Sequence, residues 1–171
     1  MELNDALLKR RSVRKYQEKQ VADDVIDRIL QAAMSGPSAC NKKPWEFYVI
    51  KNNKICRLLE NNDYLHSFYS PVKIVVCGNL NNALDSEGKD YWIQDCSAAI
   101  ENILLKVTDE GLGACWCGIY PIKARINYFK NVLNLEQNIV PLGLITLGYP
   151  DESVLLEPRT QFETTKIHIV E

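Results

Sequence analysis

Apolar side chains recur at helical spacing between residues 22 and 34, where Val25, Ile26, Ile29, Leu30 and Ala33 line one face. Asp23 and Asp24 stand at the end where a helix dipole favours an acid. Ser35-Gly36-Pro37-Ser38-Ala39 then supplies the breakers that stop it. Shorter patterns predict helices over 2–10, with Leu3, Leu7 and Leu8 on one side, over 53–60 and over 122–133. The longest helix is expected over 91–110. Its apolar positions (Trp92, Ile93, Cys96, Ala99, Ile100, Ile103, Leu104, Val107) cover a wide face, so it should be buried from more than one side. Gly111 and Gly113 end it.

Apolar runs predict strands at 47–50, 74–77 and 139–147, and Lys166-Ile167-His168-Ile169-Val170 reads as a terminal strand. Residues 78–88 read as a polar loop, and Ala114 to Cys117 as a short segment entering another. Helices and strands mix without regular βαβ alternation, which favours an α+β fold. No repeat or linker interrupts the 171 residues, so a single domain over 1–171 is expected.

Composition narrows the function classes. An apolar fraction of 46% and a charged fraction of 25% are ordinary for a globular protein, and exclude a disordered, collagen-like or coiled-coil chain. Twenty Lys plus Arg against 22 Asp plus Glu give a net charge of -2, which argues against a nucleic-acid partner. The six cysteines (Cys40, Cys56, Cys77, Cys96, Cys115, Cys117) fall in apolar strand- and helix-like segments and read as small hydrophobes rather than a disulfide framework. No basic stretch followed by an apolar run opens the chain, and no segment approaches the roughly 18 apolar residues of a membrane helix. A reduced, cytoplasmic protein is expected.

Four segments could carry chemistry. Lys9-Arg10-Arg11-Ser12-Val13-Arg14-Lys15 is a dense cationic stretch; Arg forks match phosphate oxygens, although such a stretch at a helix C-terminus also simply complements the dipole. Gly36 to Trp45 is a rigid loop against which a planar heterocycle could lie, with Ser38 or Asn41 bonding to it; it could equally be a plain helix-to-strand connection. Gly111-Leu112-Gly113-Ala114-Cys115-Trp116-Cys117-Gly118 fails as a dinucleotide fingerprint, because the third glycine is missing and no strand precedes it. Cys115 and Cys117 do not have C-x-x-C spacing; on a strand they share a face, and core packing explains them. Leu147 to Glu152, with Pro158-Arg159 following, offers a turn and one late cation. His66 and His168 are isolated, and hydrolase, zinc-protease and Walker motifs are absent from the sequence. Such a chain suits chemistry carried by an organic cofactor.

In this order the four segments resemble the FMN-dependent nitroreductase family. The resemblance rests on Arg10-Arg11-Ser12-Val13-Arg14, Pro37-Ser38-Ala39-Cys40-Asn41 with Pro44-Trp45, Asp95, Gly111-Leu112-Gly113 with Trp116, and Leu147-Gly148-Tyr149-Pro150. It implies a mostly antiparallel sheet flanked by helices, in an intertwined homodimer with FMN at the subunit interface. By resemblance, Arg10, Arg11, Ser12 and Arg14 hold the FMN phosphate, ribityl chain and pyrimidine edge. Pro37, Ser38 and Ala39 reach the partner's flavin, with Asn41 nearby. The loop Cys117, Gly118, Ile119 and Tyr120 turns backbone N–H toward flavin N5, and Arg159 contacts phosphate. A fixed cation such as Arg14 would favour the anionic reduced flavin. Lys43 stands where the family commonly has Gln, and Asp63 to His66 matches no flavin contact of the relatives.

The activity the resemblance implies is electron transfer from NAD(P)H through FMN to a nitroaromatic or quinone, by a ping-pong mechanism without a catalytic side chain or a metal. Relatives with the same fold act as flavin, enone or dehalogenating reductases. A non-enzymatic flavin sensor, and a thiol-redox or metal protein using Cys115 and Cys117, are the rival classes.

Overall fold

The computed structural model describes residues 1–60, 62–65, 67–158 and 160–170. Five helices and four strands follow one another as α1 (Leu3–Lys9), α2 (Asp23–Met34), β1 (Trp45–Ile50), α3 (Asn53–Glu60), β2 (Val72–Asn79), α4 (Tyr91–Asp109), β3 (Gly113–Gly118), α5 (Lys123–Leu133) and β4 (Ile139–Gly148). The predicted elements up to residue 148 are present, with ends shifted by a few residues. The short segment at 114–117 is a full strand, and the strand predicted at 74–77 starts at Val72 and runs to Asn79.

The terminal strand expected at 166–170 is not there. Thr164–Lys166 forms a single 3-10 turn, and Ile167, Ile169 and Val170 stand exposed. Their alternation is a strand pattern, but a strand needs a neighbour to satisfy its backbone groups, and no strand of the described chain pairs with them.

The strands form one antiparallel sheet in the order β1-β2-β4-β3. On one face, α2 and α4 bury Ile26, Ile29, Ala33, Ile100 and Ile103 against Val72, Ile74, Val76, Ile145 and Leu147. On the other, α3 and α5 bury Cys56, Leu59 and Phe129 against Val75, Cys77, Cys115, Cys117 and Leu144. The wide apolar face of α4 is therefore used up within the chain, by the sheet on one side and α2 on the other. Of the cysteines, Cys40 departs from expectation: it is exposed in the 3-10 turn Ala39–Asn41, while the other five are buried, and all six are free thiols.

Two details of the sheet shape the site. Between β2 and β4, Val76 faces Gly143 but Cys77 faces Pro141, so Leu142 is an extra residue and β4 bulges there. A bulge re-aims side chains and tolerates a proline inside a sheet; Leu142 turns into the α2–α4 side of the core. At the sheet edge, Val13 lies against Gly113 so closely that a β-carbon on residue 113 would sit 2.6 Å from Val13 Cγ2. The glycine is what allows the cationic stretch to dock on β3.

Candidate functional site

The cationic stretch is held as an extra, irregular partner of the free edge of β3. Ser12 bridges Ala114, Val13 N donates to Ala114 O at 2.8 Å, and Gln17 N donates to Tyr149 O at 2.9 Å. Beneath it Val13 is buried, and the Tyr16 hydroxyl bonds to Val13 O and to Thr146. Burial pushes the Tyr16 phenol well above its ordinary range, so it stays a neutral donor. Sequence neighbours thus divide by role: Val13 and Tyr16 anchor, while Ser12 and Arg14 stay exposed and Arg11 half-exposed.

The cations differ in what already binds them. Arg10 Nε pairs with Glu101 on α4 at 3.1 Å. Among the described residues Arg11 and Arg14 have no ion pair. Arg14 makes one long bond, 3.4 Å, to Ser12 O, and lies over the Phe68 ring at 5.8 Å. Beside Phe68, the buried Ser67 Oγ has no hydrogen-bond partner. Two guanidiniums without an ion pair on one short stretch, and an orphan hydroxyl next in sequence to the ring under Arg14, are donors of the kind an anionic, hydrogen-bonding ligand uses.

Cys115 and Cys117 share the α3–α5 face of β3, as their spacing implied, and pack in that core. The Cys117 thiol, then the Arg14 guanidinium and the Ser12 hydroxyl, hold the Cys115 thiol below its ordinary range. Bonding to Cys115 and burial drive Cys117 the other way.

By resemblance the loop Cys117 to Tyr120 turns backbone N–H toward flavin N5. Within it, the amides of Ile119 and Tyr120 both donate to Leu142 O, at 3.0 and 3.1 Å, because the bulge aims that carbonyl at them. On an antiparallel edge strand, alternate residues point both backbone groups away from the sheet. Ala114 does so, since its carbonyl reaches Val13, and Gly118 does so, since its carbonyl accepts Arg125 Nη1 at 2.8 Å. Cys117, between them in this alternation, faces β4. Of the four, Gly118 is the residue whose amide looks outward, and a β-carbon there would meet nothing within 4 Å. Beside it Trp116, Tyr120, Ile93, Ser97 and Leu142 line an open depression of about 440 Å³.

The loop Pro37 to Asn41 sits elsewhere, on the N-terminal half of α4. Ala39 N donates to the buried Asp95 carboxylate at 2.9 Å, and Ser38 Oγ accepts from Lys43 N at 3.0 Å. Cys40, Asn41 and Lys43 all have positive φ, near 50°. Pro37, Ser38 and Ala39 border a second open depression, about 410 Å³, with Tyr91, Gln94 and Asp95. No hydrogen bond or ion pair links this loop to the cationic stretch among the described residues. Arg159 lies outside the described residues.

Asp95 had a place in the motif order but no role; its signal was a lone acid on an apolar helix face. Phe68 and Arg125 had no sequence signal, since each matters through a contact with a distant segment.

The nitroreductase family model matches residues 7–75 and 68–149. The chain belongs to the nitroreductase family. A Methanothermobacter thermautotrophicus protein, provisionally named NADH dehydrogenase/NAD(P)H nitroreductase, is 37% identical over 99% of this chain and 87% of its own length. Among solved structures, a Clostridium acetobutylicum protein provisionally named NADH oxidase is similar with a TM-score of 0.89, 36% identity, and coverage of 97% of this chain and 99% of that one. An FMN-dependent nitroreductase from Clostridium difficile has a TM-score of 0.81 and 25% identity, covering 97% of this chain and 98% of its own. The nitroreductase fold expected from the motifs is thus the one the chain adopts. Among the described residues, no helix is long and apolar enough to cross a membrane.

Proposed function

We propose that this nitroreductase is an FMN-dependent oxidoreductase that takes electrons from NAD(P)H and passes them to an electron-poor acceptor such as a nitroaromatic or quinone. When bound, FMN supplies a two-electron relay that lets donor and acceptor use one site in turn, as a ping-pong cycle requires. The observation that carries the reading is the convergence, on the free edge of β3, of the unpaired Arg11 and Arg14, the exposed Ser12 and the outward Gly118 amide.

Each residue has a task there. Arg11, Ser12 and Arg14 hold the phosphate and the polar edge of the cofactor, and Arg159 adds a cation to that set. A phosphate monoester carries close to two negative charges at neutral pH, which two unpaired guanidiniums suit. Arg10 contributes through the nitrogens that Glu101 leaves free. Arg14 keeps a positive charge beside the ring system and thereby favours its reduced, anionic state. The Gly118 amide donates a hydrogen bond to the reacting edge.

The functional unit in this reading is a homodimer. The depressions beside Gly118 and beside Pro37 to Ala39 are both open in the single chain, whereas a site of this chemistry excludes water. A second copy that brings its Pro37, Ser38, Ala39 and Asn41 over the first copy's Gly118 closes both. Exposed Leu3, Leu7, Phe162, Ile169 and Val170 supply apolar surface for that association.

The test is flavin content together with size in solution. One FMN per chain in a dimer, with the yellow colour bleaching on anaerobic addition of NAD(P)H and returning with p-nitrobenzoate or a benzoquinone, is the expected result. A monomer that stays colourless after incubation with FMN sinks the proposal.

A further inference from the structure

Asp95 is an acid within α4, and only 6% of it is exposed. One of its oxygens, Oδ1, accepts from Ala39 N at 2.9 Å. The other accepts from no group among the described residues, and Asp95 joins no ion pair there. That second oxygen is not sealed in. Among the described residues, Ser67 Oγ is the one buried side-chain polar atom that is both closed to solvent and without a partner. The second oxygen therefore opens into the depression of about 410 Å³ that Asp95 lines with Pro37, Ser38 and Tyr91. Holding the Ala39 amide takes one acceptor, which a neutral asparagine would also supply. The acid keeps another, and a buried carboxylate oxygen needs a donor to offset its lost hydration.

Ser38 offers the complement. Its Oγ accepts from Lys43 N at 3.0 Å, while its own proton goes to no acceptor among the described residues. A serine hydroxyl has one proton to give. One depression thus holds an unused O–H donor and an unused carboxylate acceptor. A primary carboxamide answers both, through its C=O and its NH2. An ammonium leaves the Ser38 proton unused, and a carboxylate or nitro group sets oxygen against oxygen at Asp95. Among the molecules of the proposed reaction, the nicotinamide donor carries such a carboxamide, whereas a simple nitroaromatic or quinone does not.

We propose that Asp95 and Ser38 bind the carboxamide of the hydride donor and so select NAD(P)H over dinucleotides with another group at that position. This rests on the flavin reading given above, in which this depression of one copy comes over Gly118 of the other.

Asp95→Asn keeps an oxygen for Ala39 N and turns an NH2 into the depression. Holo-protein of wild type and variant is reduced anaerobically, in single turnovers, by NADH and by its nicotinic acid analogue, which has a carboxylate in place of the carboxamide. Rising concentrations separate the dissociation constant from the limiting rate. FMN stoichiometry, size in solution and amide exchange at 37–41 are followed alongside. Wild type should bind NADH about 10- to 100-fold more tightly than the acid, the range for a hydrogen bond to a charged group. In Asp95→Asn that preference should shrink to a few-fold or invert, with FMN content, size and exchange as in wild type. Ser38→Ala should weaken NADH binding by roughly 2- to 10-fold, and it carries the test if Asp95→Asn fails to fold; unchanged binding there overturns the proposal.

A wild type that binds the acid as tightly as NADH also overturns it. An Asp95→Asn protein with the wild-type preference does so too, and leaves the flavin reading intact. The same holds for one that slows both donors equally while exchange at 37–41 quickens, since Asp95 then only supports the loop. An Asp95→Asn protein that becomes monomeric overturns it as well, because the second copy is then the partner of Asp95. Wild-type protein that never takes up FMN overturns the flavin reading, and this assignment falls with it.

Discussion

Lys73 is fully buried on β2, and Glu60, the last residue of α3, meets it at 2.7 Å. The other two ammonium protons go to Ser70 Oγ at 2.9 Å and Phe68 O at 3.1 Å. This cluster fixes the chain just before β2, and Phe68 is the residue whose ring underlies Arg14. Removing the two partners separately should have unequal effects. Glu60→Gln leaves a buried ammonium with neutral acceptors only. Breaking a buried pair this way costs 3–5 kcal/mol in general, and the 14% exposure of Glu60 places this pair at the lower end, about 3 kcal/mol. Lys73→Met removes both the charge and its desolvation. Ser70 Oγ keeps its bond to Val72 O, so the groups left without a partner are the Phe68 carbonyl, at about 1–2 kcal/mol, and the Glu60 carboxylate, whose 14% exposure leaves it within reach of water. Glu60→Leu combined with Lys73→Met should be no less stable than Lys73→Met alone. Urea unfolding of the four proteins at pH 7, with slopes checked for constancy, gives the comparison. A Lys73→Met loss larger than that of Glu60→Gln would refute the reasoning, because the pair would then contribute net stability rather than specify geometry.

Three further outcomes are expected. Gly78→Ala places a β-carbon 2.3 Å from Cε3 of the buried Trp92, so it should destabilise by about 1–3 kcal/mol and lower the melting temperature by several degrees in a calorimetric scan; an unchanged melting point would contradict the packing. Glu110 is held down to about 2 by hydrogen bonds from Arg28 and then Lys106, below the 4.5 of an ordinary Glu. Its contribution is thus complete above about 4.5 and is lost as pH falls from there toward 2, so the stability gap between wild type and Glu110→Gln should be full at pH 7 and close by pH 2 in urea titrations. Asp95→Ala strips the acceptor from the Ala39 amide, which should loosen residues 37–41 in amide exchange and destabilise by about 1–3 kcal/mol; unaltered exchange there would show that the loop is held by its own turns.

Much of this molecule was legible before folding. The face of α2 is visible as Ile26, Ile29 and Ala33, all buried, since helical period and burial are the same fact seen twice. Cys115 and Cys117 share a face because alternation along a strand is a local property. The tail at 166–170 shows the limit of such reasoning. Its alternation is real, but pairing is a property of the partner strand, which local pattern does not contain.

The site divides the same way. The residue types needed for a phosphate and a planar ring stand in the sequence as Arg10 to Arg14 and Pro37 to Asn41, because chemistry depends on composition in short segments. Which of them is free to act depends on contacts across the chain. Glu101 occupies part of Arg10, and the extra residue Leu142 takes the Ile119 and Tyr120 amides. Arg125 reaches across from α5 to Gly118. The sequence by itself determined the elements up to residue 148, the family and the inventory of donors, all of them set by local periodicity and residue chemistry. Only the tertiary structure decided which donors remain unpaired and where they point, because hydrogen-bond satisfaction is settled between segments that are far apart along the chain.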